Sequence, residues 1–243
     1  MYKYLLFRLY APLCSWGDIA VGELRPTYGC PSKSAIIGLL AAASGIRRDE
    51  ESKIIDLSQN YGFAVLVESF GKPLVDYHTA QVPHGDERYT TRRDELAFMQ
   101  KHELKTILSW RNYRMDALYT IFLRENDRDS LNAEEIAEKL KKPVFVLYLG
   151  RKSCPPALPL EPLVIEAETL PDAVKKAVFK IDISNFDEQN ILNKNGKKDL
   201  IFEECFRSEI SGDVQIYERR DIPLSRKRWQ FDTRKEYHTV IGG

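Results

Sequence analysis

The amino-acid sequence predicts an α+β fold, and two observations lead to it. Along the first 150 residues, apolar segments typical of strands alternate with two segments of helical character. Between residues 71 and 116, a long polar and aromatic segment interrupts this alternation. A chain of 243 residues, 43% of them hydrophobic, can bury a sizeable core. We therefore expect one main domain over residues 1–150 and a small, mainly β region over residues 151–243.

The first half of the alternation is a strand, a helix and a second strand. Aromatic and aliphatic side chains over residues 2–10 predict a buried strand, and a polar loop follows as far as Pro31. Ser32 precedes a run of alanine, isoleucine and leucine, which predicts a serine-capped helix that ends at Gly45. The β-branched and apolar residues of 62–70 predict the second strand.

The insertion comes next and separates the two halves. Residues 71–116 hold few aliphatic and many basic and aromatic side chains, so we expect a long excursion from the core. Residues 117–123 predict a strand, and Asp129–Ser130 can cap a helix over residues 133–142. Residues 144–149 predict a final strand. The resulting order is that of a ferredoxin-like fold, which RNA-recognition domains also use, although a fold alone does not fix a function.

The C-terminal region has weaker patterns. Several prolines follow Gly150, which predicts a loop. Short strand-like pieces lie at residues 214–217 and 237–241, and the polar residues 190–199 predict another loop.

Composition and charge narrow the function classes. Lysine plus arginine equals aspartate plus glutamate at 36 each, so a nucleic-acid site would have to come from local clustering. The first thirteen residues lack the features of a signal peptide, and no apolar run reaches the roughly 20 residues that span a bilayer. The four cysteines are widely scattered and show no metal-ligand spacing. We therefore expect a cytoplasmic protein with reduced thiols, no membrane partner, no metal and no cofactor.

Two short motifs are candidate anion sites. Gly150 permits close backbone approach, and Arg151, Lys152 and Ser153 offer donors to phosphate oxygens, although a solvated surface turn fits the same residues equally well. The second motif is the helix start at Ser32, Lys33 and Ser34, where free backbone N–H groups attract anions. An ordinary helix cap is the simpler interpretation of that second motif.

The insertion is the third candidate. Basic residues interleaved with aromatic ones suit phosphate neutralisation and base stacking, and a hairpin that docks onto another protein is the alternative. The residues that we expect to contact RNA from this segment are His78, Arg88, Arg92, Arg93 and Arg111.

Catalysis is the weaker alternative. Tyr77, His78 and Lys101 are the residues that a metal-independent ribonuclease on this chain would use as acid and base. However, no HExxH or clustered acidic motif appears, and a lone histidine is more often structural. We therefore expect no catalytic residues.

Several segments together resemble the CasD family, a subunit of the Cascade complex of subtype I-E CRISPR systems. They are APLCSWG, ELRPTYGCPSKSAIIGLL, GIRRD, DYHTA, ILSWRNYRMDA and YLGRKSCPPALPL, which follow the family's order and span most of residues 1–160. The similarity of the last residues, KEYHTVIGG, is loose, and residues 165–230 show little similarity. The helix start and the YLGRKSCP loop are the most specific of these motifs.

The resemblance implies a non-catalytic subunit of the RAMP superfamily with a modified ferredoxin-like domain. Such a subunit caps one end of the Cascade backbone, binds the 5′ handle of CRISPR RNA, and meets target DNA only through the complex. Its long β-hairpin thumb, here about residues 73–116, reaches towards the backbone, and the large subunit is a further partner. By motif, the residues lining the handle would be Trp16, Arg25, Ser32, Lys33, Ser34, Arg151, Lys152 and Ser153.

The resemblance also leaves two rival functions open. Related subunits of subtype I-C cut CRISPR RNA, so an endoribonuclease on the same fold is the first. A scaffold whose basic residues bind only protein is the second. The thumb here is longer than expected around residues 82–100, which leaves the contacts of its tip open.

Overall fold

The computed structural model describes residues 1–83, 89–97, 104–126, 131–181, 196–225, 228 and 230–242. Within these residues the protein is an α+β fold dominated by one large sheet, as the sequence predicts. The strands are β1 (Tyr2–Cys14), β2 (Trp16–Gly17), β3 (Leu24–Arg25), β4 (Thr27–Tyr28), β5 (Tyr61–Ser69), β6 (Lys72–Pro83), β7 (Leu104–Glu125), β8 (Leu163–Ala167), β9 (Lys198–Phe202), β10 (Gln215–Ser225) and β11 (Gln230–Ile241). The helices are α1 (Lys33–Ser44), α2 (Glu51–Asn60), α3 (Arg92–Ala97), α4 (Ala133–Lys141) and α5 (Leu170–Lys176), with a 3₁₀ helix at Glu204–Glu209.

The large sheet runs in the order β10, β11, β9, β5, β7, β1, β8. All neighbours along this path are antiparallel. The strand β7 is long enough for its two halves to pair with different strands. Its second half lies between β1 and β5, and its first half pairs with β6 and β3 beyond the body of the sheet. The sheet therefore extends into a two-stranded arm.

The side chains of β1 alternate between two cores, as expected for a strand covered on both faces. Leu5, Phe7 and Leu9 point into a core shared with α1, α2 and α4. Tyr4 and Leu6 point into a second core with α5 and the 3₁₀ helix. Burial on both faces explains why residues 4–9 are apolar at every position except Arg8, whose side chain is also buried.

The helix α1 forms as predicted. The side chain of Ser32 accepts a hydrogen bond from the amide of Ala35, and Gly45 follows the last turn in the left-handed conformation. The helix α4 also forms, but its cap is Asn132, which makes a reciprocal capping box with Glu135. The predicted cap at Asp129–Ser130 lies outside the described residues.

The strand predicted at residues 144–149 is wrong. The segment after α4 has β-branched and aromatic residues but pairs with no described strand, and β8 occupies the sheet edge beside β1 instead. Helix α2 is absent from the sequence prediction, because its polar exposed face and lack of a cap give little signal. The strand-like pieces at 214–217 and 237–241 lie in β10 and β11, as predicted. Of the predicted loop 190–199, residues 190–195 lie outside the described residues and Lys198 begins β9.

A buried ion-pair network fastens the C-terminal hairpin to the start of α1. Asp221 of β10 accepts two hydrogen bonds from the Arg234 guanidinium, at 2.7 and 3.0 Å, and one from the amide of Lys33 at 2.8 Å. Glu236 accepts from Arg219 at 3.2 Å and from Arg234 at 2.8 Å. These side chains are almost fully buried, so each charge depends on its partners for solvation.

The same network gives a pH-dependent stability. Burial alone would raise the pKa of Glu236, but the hydrogen bond with His238 and the charges of Arg219 and Arg234 outweigh it and lower the pKa to about 2. Since the folded-state pKa lies below the ordinary value of 4.5, this stabilisation is complete above pH 4.5 and is lost as the pH falls towards 2. We expect the unfolding free energy of wild type, measured in urea, to fall more steeply over that window than that of Glu236→Gln. Parallel curves for the two proteins would contradict the assignment.

Candidate nucleic-acid interface

The loop after residue 149 is a tight turn packed against the end of β1. The amide of Leu149 donates to the Cys154 carbonyl at 2.7 Å, and the Ser15 amide donates to the Leu149 carbonyl at 3.1 Å. Gly150 has φ +85°, and a Cβ there would lie 1.7 Å from the Ser15 carbonyl oxygen. Only glycine fits this position. Lys152 and Ser153 lie exposed at the tip of the turn.

Arg151 links this loop to the arm and to the loop that carries Arg25. Its guanidinium stacks 4.5 Å from the centre of the Tyr113 ring, and its Nη2 donates to the Arg25 carbonyl at 3.2 Å. Arg25 is exposed and folds its Nη1 back onto the carbonyls of Gly22 and Leu24. Three chain segments distant in sequence thus converge on one spot.

The arm formed by β6 and the first half of β7 brings a third arginine to the same place. Arg111 pairs in register with Arg25 of β3, and residues directly opposite each other in a ladder share a face. Its Nε donates to the Ser109 hydroxyl at 3.3 Å. We call the surface formed by Arg25, Arg111, Arg151, Lys152 and Ser153 the basic face. It presents four formal positive charges in a chain whose net charge is zero.

His78 lies further out along the arm on the same side. It is half-buried and pairs with Ser109, whereas Asp76 pairs with Arg111 and places a carboxylate beside the basic face. The arm therefore carries mixed polar groups here rather than an unbroken basic stripe.

The opposite side of the arm is apolar and exposed. Tyr77 and Trp110 face each other across the ladder with ring centres 5.3 Å apart, and Val75 and Leu24 extend the same surface. Large exposed apolar side chains of this kind are typical of protein-interaction surfaces.

The helix start does not present the groups that the sequence suggested. The Lys33 ammonium is buried and ion-paired with Glu203 at 2.9 Å, and Asp221 already accepts from the Lys33 amide. Ser32 is the helix cap and contacts the half-buried Ser34 at 3.1 Å. As a correction, the anion at this helix start is a carboxylate of the chain itself, and we leave Lys33 out of the candidate interface.

Trp16 also requires a correction. Its side chain is 2% exposed, and its ring packs edge-on against Tyr119 with centres 5.7 Å apart. A ring buried in the core has no surface on which a base can stack, so Trp16 supports the interface from behind.

The remaining predicted contacts are dispersed. Arg92 and Arg93 lie exposed on α3, and the Arg92 guanidinium donates to the Gln81 carbonyl of the arm. Both arginines therefore belong to the outer part of the arm, beyond the basic face. Arg88 lies outside the described residues.

The side chains considered for catalysis do not converge within the described residues. Tyr77 and His78 are consecutive on β6 and therefore point to opposite faces of the arm. His238 lies on β11, bonded to Glu236 at 2.9 Å and packed 4.5 Å from Tyr217. Lys101, the third of these candidates, lies outside the described residues, and so do the other two histidines of the insertion, His84 and His102.

The described part of the chain offers neither a metal centre nor a membrane-spanning helix. No group of three or more histidine, cysteine, aspartate or glutamate side chains in this part could hold a metal ion. None of the described helices has the length and apolar character to cross a membrane.

Comparison with known proteins gives a consistent result. The chain matches the family described as CRISPR-associated protein (Cas_Cas5) over residues 4–237. This chain belongs to that family.

A named relative and two solved structures to which the chain is similar agree with this match. The chain is 33% identical over 162 residues to the CRISPR system Cascade subunit CasD of Escherichia coli (strain K12), which covers 66% of this chain and 70% of the relative. A solved structure described as a CRISPR RNA-guided surveillance complex matches 98% of this chain and 89% of its own, with a TM-score of 0.64 and 28% identity. Another, described as the crystal structure of a Cas protein, matches 98% and 95%, with a TM-score of 0.58 and 25% identity.

The sequence analysis missed two residues that support the candidate interface. Tyr113, on which the Arg151 guanidinium stacks, lies in the basic and aromatic run of residues 110–114. Because side chains along a strand alternate between its two faces, this alternation could have separated the side chains of the run into two groups. Arg219 lies under the Tyr28 ring at 4.1 Å and donates to the Cys30 carbonyl, so it supports the loop that carries Arg25. A charged strand residue gives no sequence signal for such burial.

Proposed function

We propose that this chain is a non-catalytic subunit of a type I-E Cascade interference complex that binds the 5′ handle of CRISPR RNA. The observation that carries the proposal is the convergence of Arg25, Arg111 and Arg151 beside the exposed Lys152 and Ser153. Cations and a hydroxyl grouped on a rigid turn suit the phosphates of a single RNA strand. Family membership and the CasD relative support the same assignment.

Hydrogen bonding within the basic face agrees with an acceptor supplied from outside. The Nη1 of Arg151 is buried and has no hydrogen-bond partner among the described residues. Buried donors are usually paired in folded proteins. A phosphate or base oxygen would satisfy this donor after a small side-chain movement.

The strand order supports a modified ferredoxin-like domain. Four strands lie in the spatial order β5, β7, β1, β8, so the antiparallel pair β7–β1 has β5 on one side and β8 on the other. Helix α1 lies in the connection from β1 to β5, and α4 lies in the connection from β7 to β8. The strands β9, β10 and β11 then extend the sheet beyond β5 as the C-terminal appendage.

The arm has the properties expected of a thumb. It has a polar side that carries Arg111 and is continuous with the loop at Gly150, and an apolar side around Tyr77 and Trp110. We assign the first side to the RNA and the second to the adjacent backbone subunit. Capping of the backbone filament would follow from this geometry, and the complex would meet target DNA through guide pairing, in the cytoplasm.

Separation of the candidate acid and base supports a role without catalysis. Tyr77 and His78 lie on opposite faces of β6, so the two side chains do not reach one phosphate together. Binding of the handle needs only phosphate contacts and stacking.

We expect the double variant Arg151→Ala, Lys152→Ala to bind handle-bearing CRISPR RNA at least about 100-fold more weakly, because it removes two charge-assisted contacts of about 1.5 kcal/mol or more each. The slope of log Kd against log salt should also fall by about 0.7 for each phosphate that the variant no longer neutralises. Fluorescence anisotropy with labelled RNA over a salt series measures both quantities, and gel analysis of the same samples scores cleavage.

The matched control is Lys175→Ala, Lys176→Ala, which removes two exposed positive charges from α5. It should bind as the wild type does. Equal weakening in both double variants would indicate a general charge effect and remove the loop from the site. Cleavage of the repeat by wild type would overturn the non-catalytic assignment.

A further inference from the structure

The arm leaves the body of the sheet at an irregular point of β7. The last pair between β5 and β7 is Ser69 with Leu118, and the first pair between β6 and β7 is Lys72 with Met115. Both pairs belong to one register, since each step along β5 and β6 is matched by one step back along β7. The strands β5 and β6 therefore pass along β7 as one interrupted ladder.

Two residues face each other at this interruption, and both have left-handed backbones. Gly71 and Asp116 lie opposite each other in the register, with φ +64° and +53°. The ladder also shifts register between Val67 and Ser69, just before this point. Bulges and left-handed residues bend a strand, so the arm changes direction here. We call Gly71 and Asp116 the junction.

Gly71 fixes one side of the junction by its close approach to β7. A Cβ at this position would lie 2.1 Å from the Met115 carbonyl oxygen and 2.8 Å from the Ala117 amide nitrogen. Only glycine combines this approach with a positive φ. Both atoms flank Asp116 in the chain, so the two backbones are in close contact at the junction.

Asp116 adopts a conformation that is unfavourable for a residue with a side chain. Among the residues that the structure describes, only Asp116 and Glu161 combine a side chain with a positive φ. The left-handed conformation disfavours such residues by about tenfold, and aspartate and asparagine tolerate it best. It persists only where the surrounding structure holds it. The conformation of Asp116 therefore depends on its neighbours.

Hydrogen bonds from β1 and β5 hold the junction to the body of the sheet. The Tyr10 hydroxyl donates to Oδ1 of Asp116 at 3.0 Å. The Ser69 hydroxyl donates to the Asp116 carbonyl at 3.5 Å and accepts from the Gly71 amide at 3.1 Å. Pro12 lies opposite Asp116 in the register of β1 and has no N–H to donate. Side chains thus replace the backbone hydrogen bond that a regular ladder would supply here.

The junction lies close to the basic face. Arg111 and Tyr113 lie within five residues of Asp116 on β7, and Arg151 of the body stacks on the Tyr113 ring at 4.5 Å. Since β6 has 12 residues, the arm is roughly 40 Å long, and a rotation of roughly 10° at the junction moves its far end by roughly 7 Å. The direction of the arm therefore decides how its polar side meets the turn at Gly150.

We propose that Asp116 is a positioning residue, whose left-handed backbone, held by the Tyr10 hydroxyl, fixes the direction in which the arm leaves the sheet. The polar side of the arm then lies beside the turn at Gly150 before RNA binds. Binding therefore need not order the arm, which strengthens affinity. This last step rests on the proposed function, whereas the direction of the arm does not.

A distance measurement on the full chain without RNA tests the role of Asp116. Spin labels at Thr106→Cys on the arm and Lys139→Cys on α4 occupy exposed positions, in a background where the exposed Cys205 is replaced by serine and the other cysteines are buried. Electron–electron resonance should give one narrow distance distribution for this background. Asp116→Val should broaden it and add a second distance, because a β-branched residue disfavours a positive φ. Asp116→Asn keeps both the tolerance and the acceptor oxygen, so it should match the background.

Binding of handle-bearing CRISPR RNA gives a second readout on the same variants. Asp116→Val should bind about tenfold more weakly, the factor by which the left-handed backbone is disfavoured. Tyr10→Phe removes one hydrogen bond and leaves the backbone of Asp116 unchanged, so it should bind about threefold more weakly. It also tests the same contact if Asp116→Val does not fold.

Asp232→Val is the matched control. It makes the same change of side chain at an exposed aspartate of β11 that does not have a positive φ. Both the distance distribution and the RNA affinity should stay those of the background.

The other outcomes overturn the inference in distinguishable ways. A lower unfolding midpoint in Asp116→Val, with the distances and RNA affinity of the folded protein unchanged, would make Asp116 merely structural. A displaced arm with undiminished RNA affinity would show that binding does not need this direction of the arm. Failure of wild type to bind the RNA would overturn the proposed function, while the distances measured without RNA would still decide whether Asp116 positions the arm.

Discussion

Replacing Asp221 with alanine is expected to lower the free energy of unfolding by about 3–5 kcal/mol, the usual cost of removing one partner from a buried ion pair. Arg234 loses two hydrogen bonds to this carboxylate, and the Lys33 amide loses its acceptor at the start of α1. The positively charged side chains of the network would stay buried without this carboxylate to balance them. Urea unfolding followed by circular dichroism measures the change.

The control for Asp221 is a neighbouring carboxylate on the same hairpin. Asp232 is exposed on β11, and Asp232→Ala should change the free energy of unfolding by about 0.5 kcal/mol or less. Asp221→Asn, which preserves shape and some hydrogen bonding, should fall between the two. A loss at Asp221 no larger than the loss at Asp232 would show that the network contributes nothing to folding.

The second large effect is expected at Trp16. Trp16→Ala should lower the free energy of unfolding by about 3–5 kcal/mol, because it leaves a cavity beside Tyr119 in the core. A buried ring makes no phosphate contact, so the slope of log Kd against log salt for RNA binding should stay that of wild type. Unfolding and salt-dependent binding measured on one preparation separate these two effects.

Trp110 is the matched control for Trp16. Its ring is 39% exposed on the arm, so Trp110→Ala should cost far less stability. A loss of RNA affinity in folded Trp16→Ala of about 1–3 kcal/mol, the value of one stacked base, at an unchanged salt slope would return Trp16 to the direct contacts.

Much of the central fold could be predicted because local signals and tertiary contacts agree there. Residues 4–9 are buried on both faces of the sheet, and their apolar run, interrupted only by Arg8, indicates this directly. The serine cap and the glycine stop of α1 are satisfied within a few residues of the chain, so their geometry needs no distant partner. The family resemblance is confirmed by the comparisons.

The interface could be predicted only in part, because residue type does not reveal which partner a charge has. Arg151 and Lys33 both stand in motifs typical of phosphate sites. Arg151 reaches the surface beside Tyr113, whereas Lys33 is buried against Glu203, 170 residues further along the chain. That pairing depends on where β9 enters the sheet, which no local pattern encodes.

By itself, the sequence determined the α+β class, the family and the approximate position of the basic turn, since each depends on short-range patterns of burial, capping and glycine. The tertiary structure alone decided three further points. It divided the arm into a polar and an apolar side, it buried Trp16 and Lys33, and it left the strand-like residues 146–148 without a described strand partner. All three depend on strand pairing between distant segments, because β propensity describes how a residue fits a sheet and not which strand it meets.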